Sequence, residues 1–149
     1  MKRSLLIVDD IPEVTEFVKD ALRADYEVTR VTTGKDAIRL LQSNQYELLI
    51  TDVALPDMSV EDLTTTAKEV RPNLPVLVMT ASGSIESATK LMRMGAYDYV
   101  EKPFSIEKLK HTIDKALEFN TLRRQNRTLQ AQLEDQGQQK VLVGNSVIL

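Results

Sequence analysis

Three uninterrupted apolar runs stand out along the first hundred residues: Leu5, Leu6, Ile7, Val8; Leu48, Leu49, Ile50; and Val76, Leu77, Val78, Met79. Each is too short for a helix and each is halted by a polar group, a pattern that predicts strands buried on both faces of a parallel sheet. Two further stretches alternate instead. Tyr26, Val28 and Arg30 alternate with Glu27 and Thr29, as an edge strand does, and Tyr97 and Tyr99 alternate with Asp98 and Val100 in a fifth strand that ends at Lys102 and Pro103. Between the strands the spacing becomes helical. Val14, Phe17, Val18, Ala21 and Leu22 fall at i, i+3, i+4, i+7 and i+8 behind Pro12, with Asp10 near the cap. Gly34 opens a second helix with Ala37, Ile38 and Leu41 inward, and a third runs from about Ser59, with Leu63, Ala67 and Val70 on one face, to a stop before Pro72. Ile85, Ala88 and Met92 mark a fourth, with Gly95 as its C-cap. Five strands alternating with helices predict an α/β doubly wound parallel sheet, whose ligands sit beyond the carboxyl ends of the strands where strand order reverses.

The last helix is different. It begins near Ser105 and meets no obvious stop until Gly137. Ile106, Leu109, Ile113 and Ala116 can pack on the sheet, after which Phe119, Leu122, Asn126, Leu129 and Leu133 follow a 3,4,3,4 spacing. That is a heptad seam with Asn126 at an a position, which favours a parallel pair of chains, and Glu118 at g facing Arg123 at e of the partner. The alternative is a solvated linker, because barely two and a half heptads fit. The expected organisation is therefore a domain over 1–119, a helical coiled-coil linker over 120–137, and over 138–149 a disordered tail or the start of a further domain. Val141, Leu142, Val143, Val147, Ile148 and Leu149 are apolar with no partner in view.

Composition narrows the chemistry. At 149 residues the chain can bury one sizeable core. With 19 Lys plus Arg against 22 Asp plus Glu and a net charge of -3, the segment is not built to grip nucleic acid through phosphates. The absence of Cys removes disulfides and thiolate metal sites, so the cytoplasm is the expected compartment. Met1, Lys2 and Arg3 before Leu5 mimic a signal peptide, but the apolar run ends at Asp9, short of the roughly 7 residues required. No stretch is long and apolar enough to cross a membrane.

Asp9, Asp10, Asp52, Thr80 and Lys102 all close strands on the same side of the expected sheet. Two carboxylates about 4 Å apart repel by roughly 4 kcal/mol at an effective dielectric near 20, so converging acids want a cation. With oxygen ligands, no Cys and no suitable His, Mg²⁺ fits. A carboxylate beside that ion can attack a phosphoryl donor in line and form an acyl phosphate. Asp52 is the best-placed nucleophile. Lys102 then pairs with phosphoryl oxygens, and the Thr80 hydroxyl donates to another. The bland readings are an acid pair capping a helix, Thr80 capping the fourth helix, and Tyr99 as an edge-strand aromatic. His111 lies mid-helix outside the apolar stripe and reads as a surface residue.

The chain resembles the receiver domain of a two-component response regulator over about residues 4–119. The likeness is carried by Asp9 and Asp10 after the first strand, Asp52 with Pro56 four residues on, Thr80 and Ala81 after the fourth strand, and Gly95, Ala96, Tyr97, Asp98, Tyr99 leading to Lys102, Pro103, Phe104. It implies a flavodoxin-like sheet of order 2-1-3-4-5 with five helices. It also implies that Asp52 accepts phosphate from a sensor histidine kinase, that Asp10, Asp52 and the Ala54 backbone carbonyl bind Mg²⁺ directly, and that Asp9 acts through a water. Thr80 and Tyr99 match the family's paired switch positions, and the Lys102 to Pro103 bond is cis in relatives. Val60 replaces a usual glycine, and Ile11 follows the acid pair where a polar residue is common. Past the receiver, the long helix and Val143, Gly144, Asn145, Ser146 resemble the linker and ATPase entry of nitrogen-regulatory, sigma-54-dependent activators, which implies a homodimer and a missing ATPase domain. Alternatives are a stand-alone phosphorelay receiver and a haloacid dehalogenase-type phosphatase, whose Asp-x-Asp is not matched by adjacent Asp9 and Asp10. A flavodoxin-like cofactor carrier lacks its phosphate loop here.

Overall fold

The computed structural model describes residues 2–81, 85–119 and 121, without the side chains of residues 85, 87 and 88. The chain divides into two compact units, Met1–Leu117 and Glu118–Leu149. Within the first, β1 (Arg3–Val8), β2 (Tyr26–Val31), β3 (Leu48–Asp52), β4 (Val76–Ala81) and β5 (Asp98–Lys102) alternate with α1 (Pro12–Leu22), α2 (Gly34–Ser43), α3 (Val60–Val70) and α4 (Ile85–Arg93). A fifth helix, α5, is helical over 106–119. The strands form one parallel sheet of order β2-β1-β3-β4-β5. No helix among the described residues is long and apolar enough to cross a membrane.

The two-residue period of the strands sorts their side chains into two cores. Leu5, Ile7, Leu48, Ile50, Leu77, Met79 and Val100 pack with Val18 and Leu22 of α1 and with Leu109, Ile113 and Ala116 of α5. Leu6, Val8, Leu49, Val76 and Val78 pack on the other face with Ala37 and Leu41 of α2, Leu63 and Ala67 of α3, and Leu91 of α4. A fully buried Leu among these is worth about 1.5–3 kcal/mol relative to exposure. Tyr26–Val31 is an edge strand with a mixed burial pattern, as its alternation predicts.

Helix starts follow side-chain chemistry with one exception. Thr33 caps α2 by accepting from the Asp36 amide at 3.1 Å, and Ser59 caps α3 by accepting from the Asp62 amide at 3.0 Å. In α1, by contrast, Ile11 and not Asp10 occupies the N-cap and no side chain caps it, because Pro12 already sets the first turn. Two residues expected inward point out. Phe17 is 51% exposed while Thr15 is buried, and Met92 is 40% exposed while Leu91 fills the core. The stripe of each helix is rotated by about one residue from the reading that favoured the larger side chain. His111 is exposed, and the Lys102–Pro103 peptide is cis. Gly95, with φ of 119°, turns the chain after α4.

Candidate functional site

Strand parity carries the candidate side chains to the sheet's carboxyl edge. Asp9 continues the alternation of Leu5 and Ile7, Asp52 that of Leu48 and Ile50, and Lys102 that of Val100, so all three fall on the α1/α5 face. The pairing of Asp52 with Met79 and of Ala81 with Lys102 sets their heights along the strands. Asp9, Asp10 and Asp52 each offer an oxygen within 4.8 Å of the others. Lys102 Nζ lies 3.0 Å from Asp9 Oδ2 and 3.0 Å from Asp52 Oδ1. The second oxygen of fully buried Asp9 accepts from the Ile11 amide at 2.9 Å. That leaves exposed Asp10 and the remaining Asp52 oxygen freer to take a ligand than Asp9 is.

The electrostatics follow from this crowding. Burial pushes the Asp52 carboxyl above its ordinary value, and the neighbouring Asp9 charge adds to that, against the lowering hydrogen bond from Lys102. Burial alone would lower Lys102, but its hydrogen bonds to Asp52 and Asp9 outweigh the burial and hold it above the usual lysine value. Among the described residues, three carboxylates gathered around one ammonium leave two negative charges unmatched. That deficit and an all-oxygen donor set fit a hard divalent cation.

Thr80 is 1% exposed at the end of β4, and its hydroxyl donates to the Ala81 carbonyl at 3.4 Å. Tyr99 is half-buried on β5 against the α2–α4 core, opposite Val78. Neither side chain hydrogen-bonds the carboxylates among the described residues. They lie across the sheet edge on the other parity. Ala54 is exposed in the loop after β3. Of the expected seam, Phe119 is 46% exposed, and Leu122, Asn126, Leu129 and Leu133 lie outside the described residues.

Residues 5–114 match the family model described as the response regulator receiver domain. The chain belongs to the response regulator receiver family. Among curated proteins, this receiver is 36% identical over 115 residues to the DNA-binding transcriptional regulator NtrC of Bradyrhizobium sp., covering 76% of this chain and 24% of that protein. It is 35% identical to the regulatory protein LuxO of Vibrio cholerae, covering 74% of this chain and 25% of that protein. The chain thus spans about a quarter of the length of these relatives. Among solved structures, NtrX from Brucella abortus superposes with a TM-score of 0.83 at 29% identity, over 87% of this chain and 30% of that one. A CheY-like receiver domain from Methanospirillum hungatei superposes at 0.78 and 26% identity, over 83% of this chain and 99% of that one.

Two features of the receiver escaped the sequence reading. Glu13, Val14, Phe17, Ala81, Pro103 and Phe104 join Lys102 around an apolar groove of about 480 Å³ beside the carboxylates. Asp57, in the loop after β3, accepts from two amides at the start of α2. The groove was hidden because Phe17 fits the inward stripe by spacing. Asp57 carried no local signal, since its partners are 22 and 23 residues away.

Proposed function

We propose that this receiver is a phosphorylation switch in which Asp52 takes a phosphoryl group from a phosphohistidine on a sensor histidine kinase. In that reading Asp10, Asp52 and the Ala54 backbone carbonyl would hold Mg²⁺, with Asp9 supporting the site from behind them. The observation that carries it is the charge deficit at the carboxyl edge, where Asp9, Asp10 and Asp52 gather and, among the described residues, Lys102 is the cation paired with Asp9 and Asp52. A divalent cation bound there supplies neutralisation of the charge spread over the transferring group.

An Asp52 oxygen attacks the phosphorus while the phosphorus–nitrogen bond to the kinase histidine breaks, and the electron pair leaves with the imidazole. Lys102, already within 3.0 Å of Asp52, pairs with the phosphoryl oxygens as charge accumulates. The Thr80 hydroxyl then turns from the Ala81 carbonyl toward the new phosphoryl group, and the half-buried Tyr99 ring fills the vacated space. Swinging the population from 1:99 to 99:1 requires about 5.5 kcal/mol of preference for one conformer. The apolar groove at Phe17 and Phe104 adjoins Lys102 and supports an approach of the kinase from the α1 side.

For the output, the similarity to NtrC supports control of transcription in the sigma-54-dependent manner, through an ATPase and DNA-binding parts that the receiver itself does not supply. A parallel dimer through Phe119, Leu122, Asn126, Leu129 and Leu133 belongs to the same reading. The test is labelling with acetyl phosphate and Mg²⁺, read by intact mass and peptide mapping. Wild type gains one phosphoryl group at Asp52, and Asp52→Asn gains none. Undiminished labelling of Asp52→Asn moves the nucleophile elsewhere.

A further inference from the structure

The segment between β3 and α3, which carries Ala54, is tied by its backbone to the sheet at its start and to α3 at its end. Before it, the Val53 amide donates to the Met79 carbonyl at 3.1 Å, and after it the Ser59 carbonyl accepts from the Leu63 amide at 3.0 Å. Between those points, among the described residues, the hydrogen bonds that join the loop to another element all end on Asp57. Its Oδ1 accepts from the Gly34 amide and its Oδ2 from the Lys35 amide, each at 2.9 Å. With Thr33 accepting from the Asp36 amide, the first three amides of α2 are satisfied, two of them by a residue from another element. The carboxylate also sits at the positive end of the α2 dipole.

The next residue reinforces the contact. A Cβ added at Gly34 would come within 2.6 Å of Met58 Cγ and Sδ, so the Met58 side chain packs against the first residue of α2 and would have to shift for a larger residue there. At the other end of α2 the charge is reversed. Arg71, which follows α3, donates from Nε to the Leu41 carbonyl at 3.1 Å and from Nη2 to the Asn44 carbonyl at 3.4 Å. An anion at the start and a cation at the end, both supplied by the segment that flanks α3, lock α2 and α3 together.

We infer that Asp57 is a positioning residue for the metal ligands: by clamping the β3–α3 loop onto α2 it fixes the Ala54 carbonyl at the distance the carboxylates require. This rests on the phosphoacceptor reading above. A rigid ion such as Mg²⁺ tolerates little error in ligand placement, so a loop freed at its midpoint binds it less well, although no ligand has been removed. Arg71 lies at the far end of the same helix and serves as the comparison, since it holds the helix pair but not the loop.

The test uses the full chain and follows the ¹H–¹⁵N amide shifts of Val53 and Ala54 during titration with MgCl₂, for wild type, Asp57→Asn, Asp57→Ala and Arg71→Gln, with thermal unfolding recorded for each. Asp57→Ala is expected to weaken Mg²⁺ binding on the order of 10-fold. Asp57→Asn, which keeps one acceptor oxygen, should fall between it and wild type. Arg71→Gln should lower the unfolding midpoint and leave the Mg²⁺ affinity where it was. In acetyl phosphate labelling, the Asp57 variants should need more Mg²⁺ to reach half-maximal rate, while the rate at saturating Mg²⁺ stays near wild type. Equal Mg²⁺ affinity in wild type and Asp57→Ala overturns the inference, as does an equal loss in Arg71→Gln. A wild type whose amides ignore Mg²⁺ overturns instead the phosphoacceptor reading beneath it.

Discussion

At the amino end of the sheet, Lys110 faces Asp25 at 3.8 Å, Arg3 faces Glu47 at 3.8 Å, and the Tyr26 hydroxyl donates to Asp114. At the carboxyl end, Asp9 and Asp52 share the one ammonium of Lys102, and Asp10 has no ion-pair or hydrogen-bond partner among the described residues. Both ends gather charge around a concavity, and the amino-end cavity, lined by Arg3, Asp25, Tyr26, Lys110 and Asp114, is as roomy at about 450 Å³. What separates them is bookkeeping of charge. At the amino end each carboxylate has a partner of its own, Lys110, Arg3 or the Tyr26 hydroxyl, which makes a brace between α5 and the sheet edge, whereas carboxylates that share one ammonium make a place for a cation. The Tyr26 phenol shows the brace's character: burial and the bonded Asp114 carboxylate hold its proton well above the ordinary tyrosine range.

The largest effect that would sharpen this contrast comes from exchanging a lysine at each end. Lys102→Ala should slow labelling by acetyl phosphate by about 10²–10³-fold, the usual cost of losing one group that stabilises developing charge. Lys110→Ala should leave the rate within about twofold, because among the described residues Lys110 pairs with the exposed Asp25 carboxylate at the opposite end of the sheet. Equal losses from the two substitutions would erase the distinction between brace and site. Next in size is Tyr26→Phe, which removes the hydrogen bond to the exposed Asp114 carboxylate and should cost about 0.5–1.5 kcal/mol in urea unfolding without touching the labelling rate.

The smallest effect is a pH dependence. Because the folded state holds the Asp52 proton more tightly than the unfolded chain does, the unfolded chain releases it first as pH rises. Stability without divalent cations should therefore fall as pH climbs from the ordinary aspartate value to the raised folded one, and then level off. In Asp52→Asn that component of the slope should vanish. Added Mg²⁺, competing with the proton for the same oxygen, should flatten it as well. A slope unchanged by Asp52→Asn would assign it to other carboxylates.

Much of the carboxyl end was legible in the sequence because parity is a local property. Once Leu5 and Ile7, Leu48 and Ile50, and Val100 are on strands, Asp9, Asp52 and Lys102 must share a face. The buried runs likewise announced parallel strands. What could not be read depended on partners distant in sequence or on which of two neighbours turns inward. Tyr26 meets Asp114 across 88 residues, and Asp57 meets α2 across 22 and 23. Spacing also favoured bulky Phe17 and Met92 for the core, yet Thr15 and Leu91 took those places. On α1 the displaced ring became a wall of the groove beside Lys102. The α1 start at Pro12 was legible from the proline, while the cap itself falls on Ile11, the residue after Asp10.

The central claim is that the carboxylates gathered around Lys102 at one end of the sheet share a divalent ion. A crystal of the full chain soaked in Mn²⁺, with the anomalous signal measured at the manganese edge, tests it most directly. The account predicts one strong peak in contact with Asp10, Asp52 and the Ala54 carbonyl, at about the 2.1 Å expected of an octahedral ion, and none at the cavity lined by Arg3 and Asp114. A peak at the amino end, or carboxylates at the carboxyl end that stay turned to Lys102 with no ion between them, would contradict it.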